Sequence, residues 1–470
     1  MFRLKHLVSS LVYFGWVISV NSWADKPNIL LIVSDDLGYA DVGFHGNQEK
    51  LTLNLDRLAE SGIRFSDGYV SGIVCSPTRA GLMTGRYQQK FGYEFNPDDH
   101  CGLGLPLSET TVASRLKAAG YETGLIGKWH LGIKPKEVPL DRGFDEFFGF
   151  LRRGNGGAGK YFSPDNLFRD KNPIQEREYI TDAFGREAVS FIDRHKRHPW
   201  FLYLAFSAVH TPMVATQKRL AKFSKVPDKQ RRIYSAMLLA MDEAIGAVTK
   251  KLDDENLTKN TMIVFLNDNG GPQAMNASRN DPLRGGKDSV FEGGIRVPFI
   301  VSWPGILKPG VFPHPVIQLD FTPTALAAAG ILIQPEWQLD GVNLLPFLSG
   351  LKSGPPHNEL FWRVGQKTAI RAGDYKLLSI DQSIDQSLDP LNKAQSQDLK
   401  QIRLYNLAQD IGETTDLSRQ MPEKIKELKA KWEVWNSTLI DPLQIHPSSQ
   451  ASSPVKKKTK KGFFERWLNR

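Results

Sequence analysis

Residues 28–38 read NILLIVSDDLG, an apolar run that stops at Ser34 and gives way to two adjacent carboxylates and a glycine. A segment apolar at nearly every position leaves no face for water, which is the pattern of a strand covered on both sides of a sheet. Similar runs return as YETGLIG (121–127), PWFLYLAFS (199–207), TMIVFLND (261–268) and VPFIVSWPG (297–305). Helical patterns at 54–61, 110–119, 182–194 and 228–252 alternate with them. Strands alternating with helices predict an α/β fold: a large mixed, mostly parallel sheet sandwiched by helices. Such sheets bind ligands beyond the carboxyl ends of their strands, where SDDLG stands.

Asp35 and Asp36 repel each other at a strand end unless a cation lies between them. Alone, the pair also fits a solvated loop. NDNGG (267–271) repeats the arrangement after another apolar strand and offers Asp268 and Asn269. Oxygen donors without Cys or His partners suit Ca²⁺ or Mg²⁺ and argue against zinc or copper. Cationic residues occupy comparable places. GKWHLG (127–132) holds Lys128 and His130 on alternate positions, so extended backbone would turn both to one side. VHTP (209–212) supplies His210, and LRGGKDSVFEGG (283–294) supplies Lys287 between glycines. Singly each is unremarkable; together they form a ring of donors around a divalent cation, suited to a tetrahedral oxyanion.

The chain has 470 residues, 41% of them hydrophobic and 24% charged, enough to bury a large core without disulfides. Its two cysteines are Cys75 and Cys101. The first residues, MFRLKHLVSSLVYFGWVISVNSWA (1–24), place Arg3 and Lys5 before a short apolar stretch and small residues at 22 and 24. This predicts a signal peptide cleaved after Ala24, hence an exported, periplasmic or secreted protein. In such a compartment two cysteines would ordinarily pair. The net charge of +9 is concentrated at the ends: KKKTKKGFFERWLNR alone carries seven Lys or Arg against one Glu. The body of the chain is near neutral and is not a nucleic-acid binder.

Cys75 opens CSPTRAGLMTGRY (75–87). The spacing Cys75-x-Pro77-x-Arg79 resembles the signature of formylglycine-dependent (type I) sulfatases, the arylsulfatase family of the alkaline phosphatase superfamily. The resemblance runs over about residues 26–350, through PNILLIVSDDLGYADVG, LSETTVASRLKAAGYETGLIGKWHLG, FDEFFGF, LNDNGG, GGKDSVFEGGIRVPFIVSWPG and LDFTPTALAAAG. It implies that a maturation enzyme oxidises Cys75 to formylglycine. It further implies that Asp35, Asp36, Asp268 and Asn269 bind Ca²⁺, with Mg²⁺ the alternative, and that residue 75 completes the shell. Arg79 then steadies the hydrated aldehyde, and Lys128 and Lys287 bind sulfate. His130 lies near the formylglycine, as general base for its release, and His210 on the leaving-group side. An aldehyde hydrate suits a sulfate monoester: one hydroxyl attacks sulfur, and loss of the other's proton expels sulfate, where serine would leave a stable sulfo-ester.

A weaker similarity joins GRYQQKFGYEFNP (85–97) to marine polysaccharide sulfatases, including those acting on carrageenans. With Arg152 and Arg153 nearby in sequence to the predicted pocket, a sulfated carbohydrate is the expected substrate. The alternatives are a formylglycine-dependent phosphonate or phosphodiester hydrolase and a non-catalytic binder of sulfated glycans. The domain reading is a catalytic domain at 25–350 and a C-terminal α+β subdomain at 355–440, made of LFWRV, KTAIRAGDYKLLSI, IRLYNLAQD and the helical PEKIKELKAKWEVWNSTL. The Ser-, Gln- and Asp-rich stretch 380–400 reads as a loop. The tail 441–470 is basic, and its Lys, Phe and Trp residues suit either contact with a membrane or polyanion or a disordered end.

Overall fold

Strand β1 (Asn28–Ser34) is buried at every residue, because both its long edges and both its faces are occupied in the computed structural model. The structure describes residues 26–97, 103–152, 161–162, 166–381 and 400–443. The expectations for the signal peptide, Cys101, Arg153, the interior of the 380–400 stretch and the basic tail beyond residue 443 lie outside the described residues.

In chain order the further strands of the main region are β2 (Ile63–Phe65), β3 (Gly68–Tyr69), β4 (Glu122–Lys128), β5 (Glu146–Phe150), β6 (Leu167–Arg169) and β7 (Asn172–Ile174). They continue with β8 (Trp200–Ala205), β9 (Thr261–Asn267), β10 (Phe299–Ser302), β11 (Gly310–Phe312) and β12 (Val316–Ile317). A ten-stranded sheet has the order β11-β2-β10-β9-β1-β8-β4-β5-β6-β7. Its centre, β9-β1-β8-β4-β5, is parallel. The stretch 297–305 does not extend that parallel series: β10 runs antiparallel to both β9 and β2. Periodicity reports burial and is silent on direction, so the reversal was not legible.

Apolar side chains of the central strands point alternately into two cores. Ile29, Leu31 and Val33 join one, with the helix Cys75–Thr84 against it; Leu30 and Ile32 join the other, against the helices Ile180–His195 and Lys229–Asp254. The long helix begins where Asp228 accepts the Arg231 N–H at 2.6 Å, an N-cap that satisfies an otherwise orphaned donor. The parallel register aligns the carboxyl ends of β1, β9, β8 and β4, with Ser34 opposite Asn267 and Val33 opposite Ala205. Gly127 in β4 is required there: its φ is +115°, and a Cβ would lie 1.8 Å from the Ala205 carbonyl oxygen.

A separate antiparallel sheet follows, formed by β13 (Glu359–Val364), β14 (Lys367–Ala372), β15 (Tyr375–Asp381) and β16 (Lys400–Asn406). Its first two hairpins turn at Gly365 and Gly373, both with positive φ, as two-residue turns demand. β15 reaches into the stretch read as loop, because Ile380 is fully buried and Asp381 pairs in register with Lys400. Leu360 and Trp362 face a core shared with Tyr69, Val290, Phe291 and Ile295, while Phe361 stacks on Trp435 of the helix Pro422–Asn436.

Between this sheet and the main region lies a buried ionic cluster. Lys376 sits 2.8 Å from Glu292 and 2.9 Å from Glu413, all three side chains inaccessible to water. Burial, with the charge of Glu292 adding to it, pushes the Glu413 carboxyl up to about 7 despite Lys376. A carboxyl raised in the folded state adds stability that is complete below its unfolded pKa and is lost as pH rises through about 7. Glu413→Gln should therefore remove a loss of roughly 2–3 kcal/mol between pH 5 and 7.5. Denaturant titrations of both proteins at those two pH values measure it, and equal pH dependence in the two would refute it.

Candidate active site

Cys75 is the first residue of the helix Cys75–Thr84, every residue of which is buried, and Gly85 ends that helix with φ +70°. The helix packs its start against the aligned strand ends. The Cys75 thiol donates to Asp35 Oδ1 at 3.3 Å and accepts from Lys287 Nζ at 3.5 Å. Cys75 is a free thiol in the structure. Burial first, then the charges of Asp268 and Asp35, push it up to about 12. A cysteine so placed holds its proton at neutral pH and is a poor thiolate nucleophile.

Arg79, one helical turn on, is fully buried and grips Asp268 Oδ2 through Nε at 3.0 Å and Nη2 at 2.8 Å. Its Nη1 donates to the Lys128 carbonyl at 3.1 Å and to Tyr203 Oη at 3.2 Å. Lys128 Nζ is 2.5 Å from Asp35 Oδ2. Burial alone would raise the Asp35 carboxyl, but Lys128, His210, Arg79 and Lys287 together hold it well below the usual carboxylate range. Lys287 Nζ donates to both oxygens of Asp36, at 2.6 and 2.9 Å. His210 Nε2 lies 3.5 Å from Asp36 Oδ2, and its Nδ1 is 2.6 Å from the Thr211 carbonyl.

The structure thus brings Asp35, Asp36, Cys75, Arg79, Lys128, His210, Asp268, Asn269 and Lys287 into one cluster. His130 belongs to its wall by another route than the sequence suggested. Its φ is +58°, so the backbone after β4 is not extended, and the alternation that paired it with Lys128 does not apply. Its N–H donates to the Leu151 carbonyl at 3.2 Å and its own carbonyl accepts from Ser76 Oγ at 2.5 Å, which fixes it beside the residue following Cys75. Asp36 is likewise left-handed, with φ +62°. Such conformations cost energy and persist where surrounding contacts impose them. Here Asn276, fully buried, donates to the Asp36 carbonyl at 3.0 Å and the Val209 carbonyl at 3.3 Å, tying the Asp36 backbone to the segment that carries His210.

Among the described residues, Asp35, Asp36, Cys75 and His210 each offer a possible metal-binding atom, all within 4.8 Å of one another. Asp268 lies beside that set, its Oδ2 held by Arg79 and its Oδ1 3.4 Å from the Asp36 N–H. Asn269 Nδ2 donates to Asp36 Oδ1 at 2.8 Å, whereas its Oδ1 is buried and has no hydrogen-bond partner among the described residues. An orphaned buried acceptor beside three carboxylates is what a cation's oxygen ligand looks like, and the oxygen-rich set fits a hard dication. Three cations face those three carboxylates, so a bound dication would leave a positive surplus matched to an anionic ester.

The sulfatase family model matches residues 27–331. The chain belongs to the sulfatase family. Among curated sulfatases, human arylsulfatase A is 34% identical over 451 residues, covering 86% of this chain and 87% of the relative. Mouse arylsulfatase J is 31% identical, covering 91% and 79%. Among solved structures, Ps i-CgsB superposes with a TM-score of 0.81 at 37% identity, covering 91% of this chain and 96% of that one. The same protein, at 36% identity, has been solved in complex with k-i-k-neocarrahexaose. This sulfatase is accordingly a sulfuric ester hydrolase. Among the described residues no helix is long and apolar enough to cross a membrane.

Residues that sequence reasoning passed over support the site from behind. Tyr203 meets Arg79; its hydroxyl inside the otherwise apolar WFLYLA strand was the available signal. Asp41 accepts from Tyr234 Oη at 2.5 Å and Arg231 at 2.7 Å, and Tyr234 in turn accepts the Gly38 N–H at 3.2 Å, bracing the loop after β1. Gly270 carries the NDNGG turn against the Lys287 segment: a Cβ there would lie 1.7 Å from the Gly293 carbonyl oxygen.

Proposed function

We propose that this sulfatase hydrolyses its ester through formylglycine formed from Cys75, on a carrageenan-type sulfated oligosaccharide or polysaccharide, after export. The observation that carries the first part is the buried thiol of Cys75, held between Asp35 and Lys287 and pushed up to about 12. Its Sγ stands where an oxygen of the aldehyde hydrate would lie. There one hydroxyl can attack sulfur while Lys287 and Lys128 neutralise the sulfate oxygens, and Arg79 keeps the helix start and Asp268 in place. A cation held by Asp35, Asp36, Asp268 and Asn269, Ca²⁺ by the character of its donors, would supply Lewis-acid polarisation of the ester oxygens. His210, whose Nε2 faces the Asp36 side of the site, stabilises the departing alkoxide, and His130 accepts the proton whose loss releases sulfate.

The substrate reading is supported by the similarity to Ps i-CgsB, solved with a neocarrahexaose, and by Arg152. That residue follows Leu151, whose carbonyl binds the His130 backbone, so it lies next to the catalytic wall. The test is release of inorganic sulfate from carrageenan oligosaccharides of defined linkage, alongside an aryl sulfate and a phosphodiester. Sulfate release should exceed phosphodiester cleavage, with one carrageenan linkage preferred. Arg152→Ala should raise KM about 10-fold more on the oligosaccharide than on the aryl sulfate, the size of one lost charged contact. Preference for the phosphodiester would overturn the sulfate assignment. Equal KM changes on both sulfates would remove Arg152 from the subsite.

A further inference from the structure

The loop 283–294 delivers Lys287 to the site, yet many of its anchors come from the C-terminal sheet and the segment after it. Lys367, at the start of β14, donates to the Asp288 carbonyl at 2.5 Å. Arg284 donates to the Glu413 carbonyl at 2.9 Å, and the Glu292 N–H donates to Glu413 Oε2 at 2.6 Å. Lys376 of β15 bridges Glu292 and Glu413. The other oxygen of Glu292 accepts from Tyr69 Oη at 2.6 Å and lies 3.3 Å from Arg296 Nη1. Nearest to Lys287 the segment holds to the main region through the Lys287 N–H on the Gly271 carbonyl at 3.4 Å and the Asp288 N–H on the Ile73 carbonyl at 2.9 Å, and Gly285 before it has φ +77°. A lysine has a long rotatable stem, so the ammonium stays on Asp36 and Cys75 only if the backbone beneath it is fixed.

We propose that Glu413 and Lys376 are positioning residues for Lys287: the C-terminal region sets the catalytic geometry by clamping the loop that carries the sulfate-binding lysine. The inference rests on the assignment of Lys287 to the substrate sulfate made above. Glu413 touches neither Cys75 nor any carboxylate of the metal set, so its effect must pass through the loop. The clamp closes at both ends: Arg284 lies before Lys287, while Asp288 and Glu292 lie after it. Misplacing a reacting group by about 1 Å can cost on the order of 10²-fold in rate. A cluster that merely stabilised the fold would lower the melting temperature and leave the chemistry of the folded enzyme alone.

The experiment is a double-mutant cycle on the matured, full-length enzyme with 4-nitrophenyl sulfate as probe, comparing wild type, Glu413→Ala, Lys287→Ala and the pair, each below its own melting temperature. Glu413→Ala should lower kcat/KM about 10- to 100-fold in the wild-type background. In the Lys287→Ala background the same change should cost less than about twofold, because the group being positioned is gone. Equal losses in both backgrounds, or no loss in the first, would overturn the proposal. Lys287→Ala without any loss would instead overturn the assignment of Lys287 itself, and this inference with it. If Glu413→Ala does not fold, Glu413→Asp keeps the charge facing Lys376 while withdrawing the acceptor from the Glu292 N–H by one methylene, and the cycle is read the same way.

Discussion

Cys75→Ala is expected to lower sulfate-ester hydrolysis by at least about 10⁴-fold while leaving the protein folded, because it removes the proposed nucleophile and keeps the helix it begins. The side chain is small and buried, and its deletion disturbs only the contacts with Asp35 and Lys287. Cys75→Ser tests whether the second hydroxyl of an aldehyde hydrate is needed. Serine should leave at most a single sulfo-transfer that does not recycle, because its sulfo-ester carries no second hydroxyl on the same carbon to expel sulfate; steady turnover by Cys75→Ser would refute the aldehyde-hydrate mechanism. Intact-peptide mass spectrometry supplies the complementary reading. Active protein should carry residue 75 about 18 Da lighter than cysteine, as expected for exchange of a thiol for a carbonyl oxygen. Full activity from protein in which residue 75 has the mass of cysteine would refute the mechanism.

Arg79→Ala should damage both stability and rate. Arg79 is fully buried and holds Asp268 through two bonds, with Asp35 a further 3.7 Å away. Removing it leaves the buried Asp268 carboxylate without its ion-pair partner, while Asp35 keeps Lys128, a change that typically costs about 3–5 kcal/mol. Rate should fall about 10³-fold or more, because the same guanidinium ties the start of the Cys75 helix to the carboxyl end of β4. Arg79→Lys keeps the charge but cannot reach Asp268, Tyr203 and the Lys128 carbonyl together, so it should recover stability more than rate. Melting curves and kcat on an aryl sulfate measure the two effects. A variant with Arg79→Ala that melts within about a degree of wild type would show the pair to be dispensable for folding, contrary to the geometry.

The sequence revealed this fold where burial is continuous. NILLIVS, WFLYLA and TMIVFLN lie side by side in the sheet because each is apolar at nearly every position. It revealed the carboxylates for the same reason: charged residues directly after such strands must end at one edge. Direction was not legible: nothing in VPFIVSWPG marks β10 as the strand that runs antiparallel within the mixed, mostly parallel sheet. Backbone conformation was not legible either. Alternation placed Lys128 and His130 on one side, but His130 is left-handed and reaches the wall of the site through its neighbours. The Lys376–Glu413 clamp had no local pattern at all. Its partners lie 84 and 121 residues from Glu292 along the chain, and only the packed sheets bring them together.

Cys75 is 1% exposed and Ser76, Thr78 and Arg79 are fully enclosed in the folded protein. On the proposed mechanism, an enzyme that oxidises Cys75 and reads the residues around it must therefore meet the chain before this helix docks. Folding would then set a deadline: a molecule that closes first would be locked out of maturation, with its architecture complete and its chemistry missing. The yield of active sulfatase would depend on a race between modification and folding rather than on how much protein is made. Slowing the docking of this helix, or supplying the modifying enzyme earlier, would raise specific activity without changing a single residue of the site.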